Sequence, residues 1–222
     1  LMTRQAKHIF KLDPAKDIDD SSLGQIVKSG TDLILVSGTD NVTEENVSKL
    51  LRRIRKFDVS AALEISHPDA AVPGFNHYFI PTVINTDNVT FSHGMLVEAL
   101  MEYHDFIDYD SVSLLPYIIM NQDCKAFKHA QCHAVEDEEF IAMIHMLDKL
   151  YKMDYIYIEY SGMFGDRGLV AEAYEAAEHA SIVYGGGIVS EDTARRMDSV
   201  SDIMVVGNII YDDVEQALET II

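Results

Sequence analysis

Ser181-Ile182-Val183-Tyr184-Gly185-Gly186-Gly187-Ile188 and Asp202-Ile203-Met204-Val205-Val206-Gly207-Asn208 decide how this chain is read. Each is an apolar run that stops at glycine, and Tyr155-Ile156-Tyr157-Ile158-Glu159-Tyr160-Ser161-Gly162 upstream has the same form. Strand, glycine turn and helix, repeated at close spacing, is how a parallel barrel builds a phosphate cradle. Glycine lets bare backbone N–H groups approach an anion, and the helix that follows adds the positive end of its dipole. In such barrels the cradle lies in the loops after the seventh and eighth strands.

Working outward, eight β-branched or aromatic runs can be counted, at 8–12, 33–36, 62–65, 78–84, 114–120, 155–158, 182–184 and 203–206. Their near-continuous apolarity suits strands buried on both faces, as in a parallel sheet covered by helices. Between them, 19–29, 43–55, 92–103, 136–151, 166–180, 190–197 and 212 to the end read as helices, several opened by Ser, Thr or Asp. Strict alternation gives a single-domain (β/α)8 TIM barrel, although 222 residues is somewhat short of the typical size of about 250. The third β-α connection breaks the pattern: two prolines, Pro68 and Pro73, disfavour a long helix there. Such a departure opens the wall between adjacent strands to a long ligand.

Composition narrows the function. Thirty-seven acidic against 17 basic residues leave a formal net charge of −20, which argues against nucleic acid and against a polybasic membrane anchor. An anionic ligand would therefore require a locally positive site. Two cysteines, Cys124 and Cys132, match no zinc spacing and make no disulfide framework, so a reduced, cytoplasmic setting is the expectation. No run approaches the roughly 18 apolar residues of a membrane span, and a soluble protein is expected. The nine histidines form no ligand-spaced pair on a helix.

Barrel chemistry sits at the C-terminal ends of strands. Lys11 and Asp13 follow the first run, Ser37-Gly38-Thr39-Asp40 the second, Glu64 closes the third, and Glu159 to Gly162 the sixth. Lys11 could hold a phosphate as a point charge, Asp13 could ligate Mg²⁺, and Thr39 could complete that shell. Each is also compatible with an ordinary surface or turn residue, and Asp13-Pro14 is a common helix entry. Glu159 stands apart, because a carboxylate between Ile158 and Tyr160 inside an apolar run needs a partner or a purpose, and desolvation would make it a better general base. The acidic cluster Asp17-Ile18-Asp19-Asp20 looks like half of a diphosphate-binding aspartate motif but opens a helix, where capping is the expected role.

Phe10-Lys11-Leu12-Asp13-Pro14, Ser37-Gly38-Thr39-Asp40, Val72-Pro73-Gly74-Phe75, Tyr157-Ile158-Glu159-Tyr160-Ser161-Gly162, Tyr184-Gly185-Gly186-Gly187-Ile188 and Val206-Gly207-Asn208 occur in order along nearly the whole chain. Together they resemble the geranylgeranylglyceryl phosphate synthase family, in particular its bacterial heptaprenylglyceryl phosphate synthase branch. The resemblance implies a modified (β/α)8 barrel, homodimeric, that joins sn-glycerol 1-phosphate to a polyprenyl diphosphate with Mg²⁺ and releases pyrophosphate. It implies further that Lys11, Tyr157, Ile158, Glu159, Tyr160, Ser161, Gly162, Gly187, Gly207 and Asn208 bind glycerol 1-phosphate, with Glu159 also the base. Asp13 and Thr39 would hold the metal. Archaeal relatives close the prenyl tunnel with a tryptophan; this chain has none, and the small Ala99 at the matching position would admit a heptaprenyl tail. Two rivals stay open: a sugar-phosphate isomerase or epimerase barrel, and a glycerol-phosphate sensor without donor chemistry. Transient contact with a membrane surface is compatible with so apolar a donor.

Overall fold

The computed structural model describes residues 6–222. Eight parallel strands close into a barrel in sequence order: β1 (His8–Leu12), β2 (Leu33–Val36), β3 (Ala61–Glu64), β4 (His77–Val83), β5 (Val112–Ile119), β6 (Tyr155–Glu159), β7 (Ser181–Gly185) and β8 (Ile203–Val206). The eighth strand pairs with the first, Phe10 opposite Val206, so no edge is left. Strand positions differ from the sequence reading by no more than two residues at either end.

Alternation along each strand divides the apolar side chains into two clusters. Ile9, Leu35, Phe79, Leu115, Tyr157 and Val205 fill the barrel interior. Their neighbours Phe10, Ile34, Ile118, Ile158 and Val206 pack outward against the helices. Each fully buried side chain of this size contributes about 1.5–3 kcal/mol by leaving water.

The helices are α1 (Asp20–Val27), α2 (Glu44–Ile54), α3 (Met95–Tyr103), α4 (Lys125–His129), α5 (Asp137–His145), α6 (Arg167–Ala176), α7 (Glu191–Asp198), α8 (Ile209–Asp212) and α9 (Val214–Leu218). Side-chain caps start α1, α2, α4, α6, α7 and α9. Asp19 accepts from the Ser22 N–H at 2.9 Å, so the acidic cluster does cap a helix. Thr43 with Asn46, and Ser190 with Thr193, form reciprocal capping boxes. In α2 the buried Val47, Leu50, Leu51 and Ile54 form one stripe at helical spacing.

Several helices end or bend differently from their periodicity. The stretch read as 136–151 is α5 followed by a π turn, Met146–Leu150, within which the buried Asp148 accepts from the N–H groups of His179 and Ala180 at 2.7 Å each. The same clamp accounts for α6 stopping at Ala176 instead of reaching 180, because those two N–H groups are committed elsewhere. The segment from 212 splits at Asp213, whose extended backbone caps α9.

The third connection has no α-helix, as expected. Its only regular piece is a 3-10 turn, Pro68–Ala70, and the buried Val72 and Phe75 fill part of the space against the wall. The Tyr78 hydroxyl donates to the Val72 carbonyl at 3.1 Å and pins this loop. Cover here is incomplete: Tyr78 and Ile80 on β4 and Leu114 on β5 are only half-buried, and α3 buries no residue fully.

Candidate active site

At the C-terminal mouth the strand ends surround one cleft of about 280 Å³. Lys11 and Asp13 enter it from β1, Thr39 from the loop after β2, and Tyr157, Glu159, Ser161 and Gly162 from the end of β6. Gly187 follows β7, and Gly207 and Asn208 follow β8. These ten sequence-nominated residues are thus brought together from five strands. Ile158 and Tyr160 are not part of the lining, since strand alternation turns both into the layer between barrel and helices. Ala99 lies on α3, half-buried and outside the cleft lining.

The glycine loop after β7 is set by close approach. Gly187 has φ +60°, and a Cβ there would stand 2.3 Å from the Phe164 nitrogen and 2.5 Å from the Met163 carbonyl carbon. Only glycine lets this loop lie against the segment that follows β6.

Glu159 is 4% exposed, and its Oε1 accepts the Ser161 N–H at 2.7 Å. Burial pushes its carboxyl above the ordinary glutamate range, against the opposing pull of Lys11 and the Ser161 hydrogen bond. Burial alone would lower the Lys11 ammonium, but Glu64, Glu159 and Asp13 together outweigh that and hold it above its ordinary value. The two shifts are consistent, because one lysine faces three carboxylates and each receives only part of its charge. The Lys11 ammonium also stands 5.9 Å from the centre of the Tyr157 ring.

Glu64 is a buried residue under this floor to which the sequence assigned no role. It accepts from the Ser37 hydroxyl at 2.8 Å and from the Tyr117 hydroxyl, and Tyr117 stacks on Tyr157 with ring centres 4.3 Å apart. Two polar lining residues had no signal of their own in the sequence, Lys16 and Tyr211. Lys16 reaches to 3.4 Å from the Asn208 side-chain oxygen and lies over the Tyr211 ring. The Tyr211 hydroxyl in turn accepts the Asp13 N–H at 2.7 Å.

The expected local excess of positive charge is absent. Lys11 and Lys16 meet Asp13, Glu64 and Glu159, so anion recognition must draw on main-chain dipoles and on any cation that a ligand brings. Asp13 and Thr39 both line the cleft and are the residues that could hold such a cation. At Gly38 a Cβ would lie 2.6 Å from Asp13 Oδ1, so the absence of a side chain lets this carboxylate sit against the Thr39 loop. Among the described residues no three His, Cys, Asp or Glu converge on a metal position. One carboxylate and one hydroxyl suit Mg²⁺, which characteristically keeps waters and takes phosphate oxygens as its remaining ligands.

The model of the PcrB family matches residues 2–222. Among solved structures, (S)-3-O-geranylgeranylglyceryl phosphate synthase from Thermoplasma acidophilum, in complex with its substrate sn-glycerol-1-phosphate, superposes with a TM-score of 0.83 at 16% identity. That match covers 99% of this chain and 94% of the other. Wild-type GGGPS from Thermoplasma volcanium gives 0.84 at 18% identity, with the same coverage of 99% and 94%. Thiamine phosphate pyrophosphorylase from Pyrococcus furiosus follows at 0.61 and 13%, covering 98% and 94%. At such identities the superpositions establish the barrel, and the family model establishes kinship.

Proposed function

The chain belongs to the PcrB family, and on that footing we propose that it is a prenyltransferase that joins sn-glycerol 1-phosphate to a long-chain, heptaprenyl, diphosphate. The products are heptaprenylglyceryl phosphate, an ether-lipid precursor, and pyrophosphate. The observation that carries this reading is Glu159: a buried carboxylate, raised by desolvation and fixed by the Ser161 N–H, in the same cleft as a glycine-built phosphate cradle. A phosphate-binding barrel needs the cradle alone. A base beside it serves a hydroxyl that must lose its proton.

In this reading the loops at Gly187, Gly207 and Asn208 hold the phosphate of the acceptor, with Lys11 and Lys16 on its flanks. Binding energy far from the reacting carbon then positions the glycerol hydroxyl. Glu159 accepts the hydroxyl proton as the C–O ether bond forms and the allylic C–O bond to diphosphate breaks; the electron pair leaves with pyrophosphate. Asp13 and Thr39 would hold Mg²⁺, which when bound would supply positive charge against the departing diphosphate. Glu64, Ser37 and Tyr117 fix the floor on which Lys11 and Tyr157 stand.

The incompletely covered outer face of β4 and β5 supports a long apolar donor, and Ala99 on α3 sets its permitted length in this proposal. Homodimer formation and transient contact with a membrane surface belong to the same proposal, supported by the exposed Met101 and Phe106 at 78% and 85%. A cytoplasmic location belongs to the same proposal; no described helix is long and apolar enough to cross a membrane. The test is incubation with labelled glycerol 1-phosphate, a prenyl diphosphate series and Mg²⁺, reading label in the organic phase. Product with long donors is expected; acceptor binding without product from any donor points instead to a sensor.

A further inference from the structure

Beyond the cleft lining, one ion pair spans the mouth. Lys125 Nζ, at the start of α4, meets Asp40 Oδ2, in the loop after β2, at 2.9 Å. The loops that carry them follow β5 and β2, so the pair bridges the rim on the side of β3 and β4, where the third connection lacks its helix. Asp40 directly follows Thr39, and the Asp13 carboxylate lies against Gly38. Asp13, Thr39, Asp40 and Lys125 therefore follow one another round the rim from the end of β1 to the loop after β5, and Asp40 and Lys125 lie on the far side of Thr39 from the loop after β8.

Three features give this lysine a use. Its side chain is 82% exposed, so the contact with Asp40 is one that solvent screens and that an incoming anion can replace at small cost. Its backbone is nevertheless placed: the Asn121 side chain donates to the Ser161 carbonyl at 2.6 Å, which ties the loop before α4 to the segment that carries Glu159. Finally, the two lysines that line the cleft stand elsewhere on the rim, Lys11 among three carboxylates and Lys16 beside Asn208, where the proposed function puts the acceptor phosphate. The hydrogen bond and charge of Asp40, with a smaller contribution from Asp13, also hold the Lys125 ammonium above its ordinary value.

We propose that Lys125 is a diphosphate ligand on the donor side, exchanging the Asp40 carboxylate for an oxygen of the prenyl diphosphate and staying with pyrophosphate as it departs. This rests on the prenyl-transfer reading, which supplies the diphosphate. No covalent change occurs at Lys125.

The test measures binding of inorganic pyrophosphate with Mg²⁺, and separately of glycerol 1-phosphate, to the wild-type chain and to the Lys125→Ala, Lys125→Arg and Asp40→Asn variants by calorimetry. Loss of one charge-assisted hydrogen bond should weaken pyrophosphate binding by Lys125→Ala about tenfold, and Lys125→Arg should recover most of it. Asp40→Asn, which removes the competing carboxylate, should bind pyrophosphate at least as tightly as wild type, and all variants should bind glycerol 1-phosphate normally. Unchanged pyrophosphate binding in Lys125→Ala overturns the proposal, as does equal loss of both ligands. A fall in Asp40→Asn as large as in Lys125→Ala also overturns it, because the ion pair and not the free ammonium would then matter. If wild type binds glycerol 1-phosphate but not pyrophosphate with Mg²⁺, the prenyl-transfer reading fails first and this proposal with it.

Discussion

Gly187→Ala should damage the proposed acceptor cradle more than it damages the fold, and Gly30→Ala is its internal control. Both glycines have positive φ, +60° and +92°, so each substitution carries backbone strain of about 1–2 kcal/mol. They differ in what the new methyl meets. At Gly30 nothing lies within 4 Å, whereas at Gly187 the main chain of Met163 and Phe164 lies 2.3 to 2.6 Å away. Restoring ordinary contact there requires a displacement of about 1 Å between the loops after β6 and β7, and misplacement on that scale costs on the order of a hundredfold in rate. Gly187→Ala should therefore lower kcat/KM for glycerol 1-phosphate about a hundredfold and cost about 1 kcal/mol more stability than Gly30→Ala. Denaturant melts and steady-state kinetics on both variants give the comparison. Equal melts together with wild-type acceptor kinetics for Gly187→Ala would refute the close-approach account of the cradle.

Other outcomes follow from the site and the barrel base. Glu159→Gln should lower kcat by about a hundredfold or more, and wild-type turnover would remove Glu159 as the base. In the wild-type enzyme the acidic limb of kcat/KM should lie above the ordinary glutamate range, because burial raises the Glu159 carboxyl and the base works only when ionised. Ala99→Trp should shift donor preference toward shorter prenyl chains; an unchanged product profile would take Ala99 out of the tunnel. His8, held between the hydroxyls of Thr31 and Thr220 at 3.0 Å each, is pushed by burial from 6.5 down to about 4. Its folded form is neutral, so stability should be lost as pH falls from about 6.5 to about 4, by on the order of 3 kcal/mol. His8→Gln should flatten the pH dependence of the denaturation midpoint, and an unaltered slope would place that acid sensitivity elsewhere.

What was legible in the sequence follows range of interaction. Most of the strands could be read because both faces are buried, which leaves near-continuous apolar runs, and three helix starts because Asp19, Thr43 and Ser190 cap within their own turn. The π turns at Thr90–Gly94 and Met146–Leu150 could not, since one extra residue hardly disturbs a helical pattern. With five residues, α4 is shorter than any window in which periodicity is measurable. Within the site, residues at strand ends announced themselves by position, and Asp13, Thr39 and Glu159 do converge on one cleft. The partners of Glu64 and Asp13 did not: Tyr117 and Tyr211 stand 53 and 198 residues away in sequence and meet them only through barrel closure. The distribution of charge was misjudged for the same reason, because net charge is a property of the list while the lysine facing three carboxylates is a property of the packing.

The stacked pair Tyr117 and Tyr157 gives the barrel an optical property as well as a floor. The chain has 11 tyrosines and no tryptophan, so its near-ultraviolet emission is tyrosine emission alone, unmasked by a stronger fluorophore. Two of those rings lie 4.3 Å apart at 21° in the buried interior, and one of them, Tyr157, borders the cleft beneath Lys11. Stacked chromophores at that spacing couple, so this pair should add a near-ultraviolet circular dichroism signal of its own. A ligand that draws on the Lys11 charge would change the field across the Tyr157 ring, so occupancy of the cleft beside Lys11 should be readable in the unmodified protein without a label.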